Sequence, residues 1–388
     1  MTRIVLCTGK GGVGKTSVAA ATARRCAAAG LDTVVMSTDP AHSLADALEG
    51  DLGPEPAQVA DRLWAQQVSA QRELERQWGA VQAWAGQVLR DRGADAISAE
   101  ELTVPPGADE LFSLLRLRAH DRDGRFDVVV VDCAPTGETL RLLSFPDVAR
   151  WWLERVLPLA AAARPLARTL LDLPIPDPAV LADVERLVRN LIDMHELLRD
   201  RSRVSIRLVM TPDRMVVDEA RRTFTYLGLY GFLTDAVVVN RVFPAAAGAY
   251  FGAWRERQQD VLADVRAAFA PVPVLQAPFF GEEVVGATML DRLGDELFAD
   301  ADPAAVLHDR LTHELDVRED GATLRIDVPL AAKGDVALQR VGEDLVVRVG
   351  EHKRTLLLPP ALQDYAPAGA AFHDGALHVT FDAPRRPR

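Results

Sequence analysis

Cysteine is scarce in this chain, and the few present stand far apart. Cys7, Cys26 and Cys133 are the only three among 388 residues. They form no metal-spaced pair and no disulfide framework, so each reads as a small buried hydrophobe in a reducing compartment. No run of roughly eighteen uncharged apolar residues occurs, so no transmembrane helix and no stable membrane insertion are expected. The opening Met1–Gly9 has too short an apolar stretch for a signal peptide and runs straight into glycines, which predicts a cytoplasmic protein. Positive charge is also short: 44 Lys and Arg stand against 56 Asp and Glu, a formal charge of −12. A surface of that sign repels nucleic acid and anionic lipid, so no nucleic-acid partner is expected. The basic tail Arg385-Arg386-Pro387-Arg388 reads as a frayed end.

What is present is length and apolar content. With 388 residues, 48% of them hydrophobic, the chain has enough for two or three domains with sizeable cores. Arg3–Thr8 is a β-branched run and Gly9–Gly14 is glycine-rich. Thr16–Ala29 reads as a helix closed by Gly30, and Thr33–Thr38 as a second strand. Further buried strands are predicted at Asp127–Val131, Val204–Met210, Ala236–Val239 and Val272–Leu275. Short apolar runs separated by helical patterns imply an α/β fold, a parallel sheet flanked by helices. Two longer stretches, about 57–120 and 146–201, are helical by pattern and predict an inserted all-α subdomain. Trp64, Trp78, Trp84, Trp151 and Trp152 lie in or beside them.

After about residue 314 the periodicity changes to two. Leu324, Ile326 and Val328 alternate with polar residues, as do Leu345, Val347 and Val349, then Leu356 and Leu358, and then Leu377, Val379 and Phe381. Gly342, Gly350, Pro359-Pro360 and Asp374-Gly375 punctuate them. This predicts an antiparallel β-sandwich over 314–388, separate from an α/β domain over 1–310. No second glycine-rich loop repeats the first.

Gly9-Lys10-Gly11-Gly12-Val13-Gly14-Lys15-Thr16 fits the phosphate-binding pattern G-x-x-x-x-G-K-[ST], with a strand before it and a helix after. Glycines let successive backbone N–H groups turn inward around phosphate oxygens, and the helix start adds its positive end. Lys15 is placed to reach the β- and γ-phosphates and the Thr16 hydroxyl to ligate Mg²⁺, and Ser17 is counted with them among the nucleotide-binding residues. Asp39, in Asp39-Pro40-Ala41-His42-Ser43, follows the second strand, where a carboxylate can orient an attacking water. Asp132, in Asp132-Cys133-Ala134-Pro135-Thr136-Gly137-Glu138, sits where an acid holds Mg²⁺ through water. Singly, each acid also suits a helix cap; the glycine loop nearby favours the nucleotide reading.

Lys10, directly after the first glycine, resembles the signature lysine of the deviant Walker A ATPases. The two Asp-containing stretches resemble switch I and switch II of the arsenite-transporting ATPase family, which includes the tail-anchored-protein targeting factor. The family has His where this chain has Glu138, and often Thr where it has Cys133. The resemblance covers about residues 1–300. It implies a homodimeric ATPase using ATP and Mg²⁺, with Lys10 crossing to the partner's phosphates and Lys15 and Asp39 as the other catalytic groups. Asn240, in Val239-Asn240-Arg241, matches the family's adenine-contacting asparagine, and Asp213 an acidic position near nucleotide. Pro278-Phe279 matches the loop over the base; Phe279 equally suits a core. Phe243 stands where a guanine reader would need an acid, which favours ATP.

The tail sandwich resembles the α-crystallin-like (small heat-shock) domain fused to some members, on Leu356-Leu357-Leu358-Pro359 and Ala371-Phe372-His373-Asp374-Gly375. The implied partner is a hydrophobic protein client, such as a tail-anchored membrane protein, carried and released with the nucleotide cycle. No thiolate pair lies in Pro244–Tyr250, so no zinc is expected. The separated cysteines disfavour the alternative of an arsenite-efflux subunit. A positioning ATPase of the cell-division or partition type would want a membrane helix or a basic face. A cluster-bridged reductase would need two ligating cysteines per chain.

Overall fold

The computed structural model describes residues 1–38, 43–69, 108–133 and 178–318, parts of 71–83 and most of 321–383. Eight strands form the first sheet: β1 (Arg3–Thr8), β2 (Thr33–Ser37), β3 (Ala57–Ala60), β4 (Leu63–Gln67), β5 (Val128–Asp132), β6 (Val204–Met210), β7 (Thr234–Val242) and β8 (Val274–Pro278). Their order is β3-β4-β2-β5-β1-β6-β7-β8. Every neighbouring pair is parallel except β3 and β4.

The strands form where valine-rich runs are buried on both faces; β2, β5 and β6 are buried at every position. That is the signature of a parallel sheet covered by helices on both sides. Ile4, Leu6, Val129 and Val131 point to one side, into a core shared with the helices Ala108–Asp123 and Pro178–Leu198. The alternate residues Val5, Cys7, Val128 and Val130 pack under the helices Lys15–Ala28 and Gly286–Phe298. The first of these is nearly all small side chains; Ala19, Ala20, Ala21 and Ala23 are wholly buried. It therefore lies close against the sheet, and Gly294 of its neighbour lets the two helices touch, with Ala21 O only 3.3 Å from where a Cβ would stand.

The helical reading of residues 57–120 fails at its start. Ala57–Gln67 is a hairpin, with Arg62 at a positive φ of 53 in its turn. Leu63-Trp64-Ala65-Gln66-Gln67 has weak strand propensity, but pairing with β2, from Thr33↔Leu63 to Ser37↔Gln67, overrides it. The helices Ala108–Asp123 and Pro178–Leu198 lie where helices were expected and lean on the sheet itself. Residues 84–107 and 134–177 lie outside the described residues. The predicted strands stand, with shifted ends: β5 includes Asp132, β7 runs from Thr234 to Val242, and β8 begins at Val274.

The tail is a sandwich, as its alternation predicted. A four-stranded sheet holds β9 (His313–Val317), β10 (Gly321–Asp327), β14 (Ala366–His373) and β15 (Ala376–Asp382), ordered β14-β15-β10-β9. A three-stranded one holds β11 (Val336–Val341), β12 (Asp344–Val349) and β13 (His352–Leu357). Leu324, Ile326, Leu345, Leu377, Val379 and Phe381 make the core between them. Through β9 and β13 the sandwich rests on the helix Arg214–Leu229 of the α/β unit.

The segment entering the sandwich is moored by buried charge. Arg207 and Asp235 have 0% side-chain exposure and lie 3.7 Å apart, and Arg3 reaches the same carboxylate at 3.2 Å. Arg207 donates to the carbonyl of Pro303 at 2.7 Å and Arg3 to that of Ala304 at 2.7 Å, while Leu307 N donates to Asp235 at 3.3 Å. Burial lowers the Arg3 pKa to about 10, an opposing measure of what desolvation costs here. Asp235→Ala would leave two arginines without their acid. A loss of about 3–5 kcal/mol in urea unfolding is expected; a change under about 1 kcal/mol would mean the arginines find other partners.

Candidate functional site

The glycine loop follows β1, whose neighbours are β5 and β6. Thr8 ends the strand and the chain turns back at once. A Cβ on Gly9 would stand 2.0 Å from the Val209 carbonyl oxygen, so only glycine allows the loop to fold over β6. Gly12 and Gly14 have φ of 79 and 94, in the left-handed region. Nothing lies within 4 Å of where a Cβ on Gly11 or Gly12 would be, so the cradle is open on that side. Gly14 caps the Lys15–Ala28 helix without a side-chain bond, and the first turn holds no acid. Its terminal N–H groups are thus left for an anion.

Lys15 is almost wholly buried, and its ammonium donates to the Lys10 carbonyl at 3.2 Å, bracing the two ends of the loop. Thr16 donates to the Asp132 carboxylate at 2.8 Å, and its hydroxyl lies 2.9 Å from that of Ser43. Ser37 also donates to Asp132 at 3.2 Å. The register explains the meeting: Cys7, Asp132 and Ser37 stand level across β1, β5 and β2. This oxygen-rich set fits a hard cation such as magnesium. Neither serine is marked by a motif in the sequence: Ser37 is a hydroxyl at the end of a strand beside the loop, and Ser43 one at the start of the helix Ser43–Leu48 that follows Asp39.

Asn240 ends the buried part of β7. Its amide donates to the Val13 carbonyl at 2.9 Å and accepts from Arg241 N at 2.9 Å. A Cβ on Gly14 would fall 2.3 Å from that amide nitrogen. The asparagine therefore supports the phosphate loop whatever base lies above it. Asp213 accepts from Thr211 at 2.7 Å and, with Lys10 and Phe279, lines a cleft of about 900 Å³ beside the loop. Pro278 ends β8, and Phe279, 48% exposed, donates its N–H to Val242 O. Phe279 is thus no core residue. Phe243, Phe251, Tyr250 and Trp254 join it in the same cleft, an aromatic wall the sequence did not announce. Ser17 lies half-buried in the first helix turn, and Asp39 lies outside the described residues.

A central strand, a glycine loop closing on a helix, and an acid delivered by the adjacent strand define a P-loop nucleotide-binding fold. The chain belongs to the family described as anion-transporting ATPase, which residues 2–299 match. Residues 319–381 match an HSP20-like domain found in ArsA. A putative arsenical pump-driving ATPase of Chlorobaculum tepidum is 36% identical over 388 residues, covering 98% of this chain and 96% of that protein. A second, from Aquifex aeolicus, is 33% identical over 95% of this chain and 97% of its own length. ATPase GET3B of Arabidopsis thaliana is 29% identical, covering 74% of this chain and 76% of its own. The tail domain continues through the first two, as their coverage requires.

Because Asn240 holds Val13, Asn240→Ala is expected to weaken inorganic tripolyphosphate as well as ATP. Losses of roughly fivefold to tenfold each correspond to one hydrogen bond. Calorimetry decides it: a loss confined to ATP would reduce Asn240 to a base contact.

Proposed function

We propose that this chain is an ATP-hydrolysing homodimeric carrier that couples its nucleotide state to binding and release of a hydrophobic protein client. The observation that carries the ATPase part is the convergence of Lys15, Thr16 and Asp132 at the loop, together with membership of an ATPase family. The backbone of Gly9–Thr16 and the Lys15 ammonium bind the phosphates. Thr16 and, through water, Asp132 would hold Mg²⁺, whose charge would offset that developing on the phosphates. Asp39 orients the attacking water. Asn240, Pro278 and Phe279 enclose adenine, with Asp213 at the rim. Lys10, its side chain 41% exposed, reaches the partner's phosphates. A cytoplasmic setting fits the absence, among the described residues, of any helix long and apolar enough to cross a membrane.

Arsenite handling finds no support in the thiols. All three cysteines are buried, and burial raises the Cys7 and Cys26 thiols to about 12. A thiophilic oxyanion needs accessible, clustered thiolates. The client reading draws on the relationship to ATPase GET3B and on the HSP20-like tail; the helix Pro178–Leu198 adds nothing to it as it stands, because Leu187, Leu191, Met194, Leu197 and Leu198 are buried in the sheet core.

Three experiments test this reading. Asp39→Asn should keep ATP binding while turnover falls by roughly 10²–10⁴. Lys10→Ala subunits mixed with Asp39→Asn subunits should then regain activity, because one composite site of the heterodimer carries neither defect. Heterodimers without activity would place Lys10 in cis. For the client, hydrogen exchange in residues 146–201 should differ between ATP and ADP; equal protection in both states would remove the coupling.

A further inference from the structure

Lys10 is anchored in two directions. Its carbonyl accepts from Lys15 within the loop, and its ammonium lies 3.0 Å from the Glu219 carboxylate. Glu219 stands in the second turn of the Arg214–Leu229 helix, which starts at the cleft rim just after Asp213. Arg214, Arg241 and Arg257 line the same cleft together with Asp213 and Asp260, and Glu219 is the carboxylate that stands at ion-pair distance from the Lys10 ammonium. Reaching a second subunit requires the ammonium to leave Glu219.

We propose that Glu219 is a positioning residue for Lys10, holding its ammonium along the chain's own helix until a second copy presents nucleotide phosphates. This rests on the reading that Lys10 acts across a dimer interface. The pair suits the task because it is weak. Its side chains are 41% and 43% exposed, and a half-solvated ion pair is released at little cost. Bound triphosphate outcompetes it by charge; an empty or ADP-loaded partner offers less. Glu219 thus sets the ATP concentration at which the dimer closes. The helix bearing it is braced on β9 and β13, so the acid is held at a set distance from the loop.

The test follows dimer formation of the full chain by sedimentation, against rising concentrations of a non-hydrolysable ATP analogue with Mg²⁺. Glu219→Gln should lower the half-maximal concentration about twofold to fivefold, with an unchanged melting temperature, and Glu219→Asp should restore it toward wild type. In turnover assays the shift should appear in half-saturating ATP rather than in the rate at saturation. Lys10→Ala separates the two ideas. Should Lys10→Ala abolish closure while Glu219→Gln leaves the threshold where it was, the latch is wrong and the trans role stands. Should Lys10→Ala close like wild type, the trans role fails and the latch with it. A raised threshold in Glu219→Gln also overturns the proposal, since the acid would then support the closed dimer.

Discussion

A carboxylate without solvent must be given donors, and in this protein that requirement falls on Asp132. The side chain is wholly buried at the end of β5. It accepts from Thr16 on the helix after the loop and from Ser37 at the end of β2. Three segments distant in sequence are thereby held at one point. Because Ser43 reaches the same Thr16 hydroxyl, the start of the helix after Asp39 is tied in as well. The strand ends, the glycine loop and the first turn of two helices answer to one desolvated charge.

Much of the fold was legible because it is local. The run Val128-Val129-Val130-Val131 admits little but a strand buried on both faces, and the glycine loop declares its own conformation. The tail's alternation was equally plain, although β9, β11 and β14 escaped; Ala366-Pro367-Ala368-Gly369-Ala370-Ala371 carries no alternating apolar signal, and its edge position is set by β15. The hairpin of β3 and β4 was hidden for a related reason. Its residues have no preference strong enough to resist a neighbour, and the neighbour, β2, lies some thirty positions upstream.

At the site, residue types were legible and pairings were not. Lys10, Lys15, Thr16 and Asp132 stand out by motif. Nothing in the sequence says that Asn240 props the loop at Val13, or that Lys10 faces Glu219. Both contacts join elements more than 200 residues apart and depend on the order of β1, β6 and β7 in the sheet. The aromatic wall is of the same kind: Phe243, Phe251 and Phe279 meet only because β7 and β8 are neighbours.

The mooring of Pro303–Leu307 on Arg3, Arg207 and Asp235 changes what the tail can be. A domain on a loose tether samples a volume, and its encounters depend on linker length. Here the tether is fastened at its root, to strands beside the phosphate loop, and the sandwich leans on the next helix along. The tail has an address and an orientation, and whatever it meets, it meets from one side.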